Sequence, residues 1–180
     1  MLGSAASKVE IVDSLWTTMA LGMPVLTTAR AAQAGEGLAE CQKVAQNACA
    51  NAGVLFIVET LEFMRRGGRI GGAQAFLGTA LNIKPVLEMR DGKIEAVEKV
   101  RTKQKAIRFA IELVIERLKG KTSIRLAATH ADDEADASSM LETASAELNP
   151  IETFCCPLSP VIGTHTGPGT VALNYMFDIP

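Results

Sequence analysis

The chain has 180 residues, of which 48% are hydrophobic and 21% are charged, and its formal net charge at pH 7 is −2. This length and composition are typical of a single globular domain and exclude an intrinsically disordered chain. No basic surplus is present, so nucleic-acid binding, which depends on contacts with phosphates, is not expected.

The first third of the chain predicts a short strand, two helices and a buried strand. The short strand covers residues 9–12, and a helix over about residues 17–34 contains Pro24, which is expected to kink it. Apolar residues recur at helical spacing from Leu38 onward until Gly53 ends this second helix. Residues 54–58 are continuously apolar, which is typical of a strand buried on both faces.

Two glycine pairs frame the next predicted helices. Thr60 is the expected N-cap of a short helix that ends at Gly67-Gly68, and Gly71-Gly72 opens another helix. Arg69 stands between the pairs, where free backbone N–H groups and a guanidinium together favour a carboxylate or phosphate. The alternative is that the glycines only connect two helices.

The rest of the chain alternates between strands and helices. A hairpin over residues 85–100 turns at Asp91-Gly92. The elements after it are predicted as a helix over about residues 102–118, a strand over 123–129, a helix capped by Asp132, a strand over 151–155, a turn-rich loop over 157–168 and a strand over 171–176. The predicted fold class is therefore α/β with a mixed sheet.

The turn-rich loop contains the second candidate site. His165 lies between Thr164 and Thr166 within a frame of glycines and prolines. One imidazole and two hydroxyls at one point can contact an anionic headgroup. The alternative is a turn whose histidine is satisfied by its neighbours.

The other candidates have simpler explanations. His130 at a strand end is typical of a satisfied surface residue, and Cys155 has no base near it in sequence. The acidic residues between 132 and 136 fit a helix start and lack the spacing of calcium ligands. An apolar stripe that includes Phe76, Leu77 and Ile83 fits either plain core or the wall of a ligand tunnel.

The cysteines predict reduced thiols. Cys41 and Cys49 lie roughly 12 Å apart along a predicted helix, which is too far for a disulfide, and Cys155 and Cys156 are adjacent. No CxxC pair is present, so a zinc site is not expected. No long apolar run and no secretory signal are visible, so we expect a cytoplasmic protein without stable membrane insertion.

Several long motifs resemble the DegV family of bacteria. They are TLEFMRRGGRI at residues 60–70, LNIKPVL at residues 81–87 with the Asp91-Gly92 hairpin behind it, and VIGTHTGPG at residues 161–169. The resemblance covers nearly the whole chain. It implies a protein that binds one long-chain fatty acid and presents the carboxylate to a separate fatty acid kinase protein, without being an enzyme itself and without a cofactor or metal.

The resemblance also implies roles for particular residues. His165 would join the hydrogen-bond network at the carboxylate, Arg69 would lie near the headgroup or the side that faces the kinase, and residues 72–87 would help to line the tail. The predicted ligand-binding residues are His165, Thr164, Thr166, Arg69, Gly71, Gly72, Phe76, Leu77 and Ile83.

The family fold has two α/β lobes with the ligand between them. Residues 1–52 are expected to be the end of an incomplete N-terminal lobe with connecting helices, and residues 53–180 the C-terminal lipid-binding lobe with its mixed sheet and flanking helices. Met1 falls well inside the family chain, beyond a Thr and a Ser that hold the carboxylate. Three explanations of this late start stay open: the sequence is a fragment, its start was assigned too late, or the protein is a shortened family member. Two other functions stay open, namely a hydrolase that uses Cys155 or His165 and a regulatory or structural fragment without a ligand.

Overall fold

A six-stranded mixed sheet forms the centre of the part of the chain that the computed structural model describes, which is residues 8–77 and 83–179. In chain order the strands are β1 (Ala52–Ile57), β2 (Lys84–Arg90), β3 (Lys93–Val100), β4 (Arg125–Ala131), β5 (Glu152–Pro157) and β6 (Thr170–Met176). Across the sheet the order is β3-β2-β1-β6-β4-β5, with β4 and β5 parallel and the other neighbours antiparallel. The predicted fold class is confirmed.

Helices cover both faces of this sheet. In chain order they are α1 (Thr18–Gln33), α2 (Leu38–Ala50), α3 (Glu62–Arg66), a 3₁₀ helix (Gly71–Phe76), α4 (Lys103–Leu118), α5 (Glu134–Leu148) and α6 (Pro160–Thr166). Helices α4 and α5 pack on one face, which we call the closed face. Helices α1 and α3 pack on the other, the open face, where α6 lies beside α3.

Strand β1 shows how one sequence serves both faces. Its side chains alternate, so that Leu55 and Ile57 join the core of the closed face while Val54 and Phe56 join the core of the open face. All four are buried, as the continuous apolar run predicts. The predicted hairpin is also confirmed, because Asp91 and Gly92 have φ values of 50° and 72°, as a two-residue type I′ turn requires.

Several elements differ from the sequence predictions. Residues 9–12 form no strand, since no strand of the described chain lies beside them and the side chains of Val9 and Ile11 are exposed. The expected loop over 157–168 contains α6, whose N-cap Ser159 accepts a hydrogen bond from the Ile162 N–H. Helix α5 is capped by Asp133 in place of Asp132.

The helix that follows the glycine pairs is shorter than predicted. The helix predicted to begin at Gly71-Gly72 is a 3₁₀ helix that ends at Phe76, and residues 78–82, which include part of the LNIKPVL motif, lie outside the described residues. Helix α1 continues through Pro24. Within residues 8–77 and 83–179, no helix has the length and apolar character needed to cross a bilayer. The proposed division into lobes at residue 52 stays a prediction.

Candidate functional site

A cavity of about 380 Å³ lies on the open face of the sheet. The cavity is lined by residues of β1, β6, the β2–β3 hairpin, α3, α6, the start of α1 and the glycine-rich segment after α3. Its apolar lining residues are Val54, Phe56, Met64, Met89, Ile94, Leu158, Ile162 and Ala172. The volume falls within the range of small-molecule pockets, and the lining suits an apolar ligand.

The polar groups of the cavity are positive or neutral. Arg69 and Lys93 line it together with His165, four threonines and small backbone surfaces, and no carboxylate is present among the described residues that line it. A negative charge placed here would gain two cations and meet no nearby anion in that lining. The site therefore combines an apolar interior with groups that favour an anion.

Most of the threonine hydroxyls of the cavity already donate their proton. Thr166 donates to the Ile162 carbonyl at 3.3 Å, Thr170 donates to the Gly167 carbonyl at 2.7 Å, and Thr18 donates to the Asn174 side chain. A hydroxyl has one proton, so these groups cannot donate to a carboxylate as they stand. By contrast, the buried Nδ1 of His165 has no hydrogen-bond partner among the described residues.

Helix α3 carries a group of ion-paired side chains beside the cavity. Helix α3 begins where the Glu62 N–H donates to the Thr60 hydroxyl at 3.2 Å. Hydrogen bonds from Arg65 and then Arg66 lower the pKa of the Glu62 carboxyl from its usual 4.5. Both arginines are thereby paired with Glu62. Arg69, which follows α3, lines the cavity and donates a hydrogen bond to the Gly67 carbonyl at 2.8 Å.

Asn174 supports the site and was missed by the sequence analysis. It is fully buried on β6, where its amide donates to the Ala127 carbonyl and the Thr129 hydroxyl and its oxygen accepts from Thr18 and the Ala20 N–H. It thus fixes the start of α1 at the edge of the cavity. A single amide side chain within the mostly apolar strand TVALNYM was the available signal.

The structure brings together four of the nine predicted ligand-binding residues. Arg69, Gly71, His165 and Thr166 line the cavity, and the other five lie elsewhere. Thr164 is exposed and its hydroxyl donates to the Pro160 carbonyl, whereas Gly72 lies against the Glu95 carboxylate. The Phe76 ring lies 5.8 Å from the Lys99 ammonium. The Leu77 side chain is 40% exposed, and Ile83 is half-buried. None of the described residues in 72–77 and 83–87 lines the cavity, and the expected tail wall over residues 72–87 stays a prediction.

The two residues named for the hydrolase alternative lie on opposite faces of the sheet. The Cys155 sulfur lies 3.6 Å from the Ser138 hydroxyl on α5, on the closed face, whereas His165 lies on the open face. His130 belongs to the closed side as well, where its Nδ1 accepts from the Asp133 N–H. The described residues contain no group of three potential metal ligands, and all four cysteines are free thiols.

Comparison with known sequences identifies close relatives. The family model for uncharacterised proteins of the DegV family matches residues 2–178. A DegV domain-containing protein of Clostridium perfringens is 36% identical over 168 residues, which is 93% of this chain and 59% of the relative. This chain therefore spans about three fifths of the length of such relatives.

Solved structures agree with the sequence relatives. A DegV family protein from Thermus thermophilus, described for its fatty acid binding, superposes with a TM-score of 0.90 at 34% identity over 96% of this chain and 62% of that one. DegV of Bacillus subtilis, described as a fatty acid binding protein, gives 0.80 at 32% identity over 93% and 60%.

Proposed function

The chain belongs to the DegV family, and on that premise we propose that it binds a long-chain fatty acid in the open-face cavity, with the carboxylate at His165. The observation that carries the proposal is an apolar cavity lined by a histidine whose buried Nδ1 has no hydrogen-bond partner in the described part of the chain. Two relatives of known structure are described as fatty acid binding proteins, which supports the same ligand class.

The apolar lining supports binding of the hydrocarbon tail. Each buried CH₂ contributes about 0.8 kcal/mol, so a long chain gains on the order of 10 kcal/mol before its ordering costs. Val54, Phe56 and Ala172 on the sheet and Met64 and Ile162 on the helices offer the contact surface for it.

The polar lining supports binding of the carboxylate. A buried carboxylate must be hydrogen-bonded or paired, or desolvation opposes binding. His165 supplies a donor, and Arg69 and Lys93 supply positive charge. We assign Arg69 to the rim because its side chain is exposed and already donates to the Gly67 carbonyl.

The role of the bound acid is to be presented to a second protein. We propose that a separate fatty acid kinase receives the carboxylate and phosphorylates it, so that this chain acts as a carrier and not as an enzyme. The separation of Cys155 from His165 by the sheet supports a binding role over hydrolysis.

Displacement of a fluorescent long-chain fatty acid by palmitate tests the proposal. His165→Ala is expected to weaken binding by about tenfold or more, because the carboxylate loses its donor. His130→Ala, at the other histidine, is the control and is expected to bind within about twofold of the wild type. A wild-type chain that binds no fatty acid, or equal losses in both variants, would contradict the proposed site.

The carrier role needs its own measurement. A purified bacterial fatty acid kinase with ATP is expected to form acyl-phosphate only when this chain is present. Turnover of an acyl ester by this chain alone would favour the hydrolase instead.

A further inference from the structure

Two contacts between aromatic rings and glycines join α3 to α6 beside the cavity. A Cβ atom at Gly67, which ends α3, would lie 2.3 Å from Nδ1 and 3.0 Å from Cε1 of the His165 ring on α6. A Cβ atom at Gly167, which ends α6, would lie 2.4 Å from Cδ2 of the Phe63 ring on α3. Each short helix therefore ends in a glycine that makes room for a ring of the other.

The need for glycine at position 67 is steric and not conformational. Gly67 has φ −76° and ψ −4°, which any residue adopts, whereas its neighbour Gly68 has φ +67° with open space around it. A side chain at Gly67 would occupy the space of the His165 imidazole. The two adjacent glycines of the RRGGRI run thus have different reasons for lacking a side chain.

The contact with Gly67 closes off one nitrogen of the His165 ring. Nδ1 is buried and has no hydrogen-bond partner in the described chain. A proton on Nδ1 would be a buried donor without an acceptor, which is rarer in proteins than an acceptor without a donor. In a neutral ring, this environment favours the tautomer with its proton on Nε2.

We infer that Gly67 is a positioning residue for the ligand headgroup: it lets the imidazole lie against the end of α3 and so makes Nε2–H the donor to the carboxylate. This inference rests on the proposed function, because it gives His165 a carboxylate to donate to. Gly67 itself acts through His165 and does not line the cavity.

The tautomer of the His165 ring gives a test that needs no ligand. The chain has two histidines, so the ¹⁵N resonances of both imidazoles are readily assigned. The ligand-free wild type is expected to show His165 with its proton on Nε2, and Gly67→Ala is expected to shift the His165 resonances but not those of His130. A proton on Nδ1 in the wild type, or identical His165 resonances in the two proteins, would overturn the inference.

Affinity for palmitate gives the second test. Gly67→Ala is expected to weaken binding by about tenfold. Gly163→Ala on α6 is the matched control, because a Cβ atom there meets nothing within 4 Å, and it is expected to stay within about twofold. Binding by Gly67→Ala within about twofold of the wild type would overturn the inference.

A double-variant cycle separates positioning from general damage to the fold. In a His165→Ala background, Gly67→Ala is expected to cause no further loss of affinity, since the ring that it displaces is gone. Losses that multiply in the double variant would show that Gly67 acts without His165. If Gly67→Ala does not fold, as judged by circular dichroism, the wild-type tautomer alone decides. If the wild type binds no palmitate, the proposed function fails. The ¹⁵N resonances then still decide whether Gly67 determines the position and tautomer of the His165 ring.

Discussion

The two faces of the sheet are made by the same strands but are filled differently. On the closed face, α4 and α5 have 16 and 15 residues and pack large side chains such as Leu126, Met140 and Leu173 without exposure. On the open face, α1 also has 16 residues, but α3 and α6 have only 5 and 7, and the cavity remains where these two short helices meet the strands. Long amphipathic helices can fill a face completely, whereas short helices joined at glycines leave apolar space that a ligand can occupy.

The largest expected difference between the faces is in the cost of removing a leucine. Leu126→Ala on the closed face is expected to lower the free energy of unfolding by about 2–5 kcal/mol, because a new void forms in a filled core. Leu158→Ala, at the cavity, is expected to cost roughly 1 kcal/mol, because that side chain already borders empty volume. Urea denaturation measures both, and equal losses would break the distinction between the faces.

A second prediction concerns the polar anchor of the open face. Asn174→Ala is expected to lower the free energy of unfolding by about 1–3 kcal/mol, since Ala20 N–H and the hydroxyls of Thr18 and Thr129 lose a buried partner. Asn51→Ala removes a surface side chain whose hydrogen bonds, among the described residues, are to Asn47, and its effect is expected to stay within about 0.5 kcal/mol. Similar denaturation midpoints for the two variants would show that α1 is held by other contacts.

Enlarging an alanine on each face gives a third, smaller contrast. Ala128→Leu on the closed face is expected to destabilise the protein by at least about 1 kcal/mol through overpacking. Ala172→Leu, on the neighbouring strand, places its added atoms in the cavity, so thermal unfolding is expected to change little while palmitate binding is lost. Retained binding in Ala172→Leu would place the ligand elsewhere.

The smallest expected effect is a pH dependence from the pair that ties α1 to β5. A hydrogen bond from Arg30, followed by the charges of Arg30 and Arg125, lowers the pKa of Glu152 from its usual 4.5 despite partial burial. Because the folded pKa is the lower one, this contribution is full above about pH 4.5 and is lost as the pH falls through the folded value.

Urea midpoints from about pH 6 to about pH 3 test this contribution. Glu152→Gln is expected to lose less stability over this range than the wild type. Glu142→Gln on the exposed side of α5, where the described residues show no ion pair, serves as the control and is expected to follow the wild type. A Glu152→Gln curve parallel to that of the wild type would contradict the assignment.

Much of the fold was predictable because its signals are local. The Asp91-Gly92 turn fixes the hairpin, and the apolar run of β1 identifies a buried strand whatever lies around it. Residues 9–12 have the alternation of a strand but no partner strand among the described residues. A strand forms only where a neighbouring strand offers hydrogen bonds, and the local sequence does not show whether one is present. Helix α6 was hidden by its glycine and threonines, although Ser159-Pro160 is a recognisable N-cap followed by proline.

The site was less predictable than the fold. His165 and Arg69 could be identified as candidates because charged and polar residues framed by glycines are unusual. Which apolar side chains border empty space depends on how the helices sit on the sheet, so Val54 and Phe56 could not be distinguished from core and Phe76 could not be distinguished from a tunnel wall. The pairing of Gly67 with His165 joins residues far apart in sequence and has no local pattern.

The place of β6 within the sheet has a consequence for biosynthesis. It is the last described strand to leave the ribosome, yet it stands between β1 and β4 and is paired with both. Until it emerges, the β1–β2–β3 meander and the β4–β5 pair each present an open edge with unpaired backbone groups. Completion of the sheet therefore follows translation of residues 170–176, and nascent chains that stall before this point are the forms most exposed to aggregation and most dependent on chaperones.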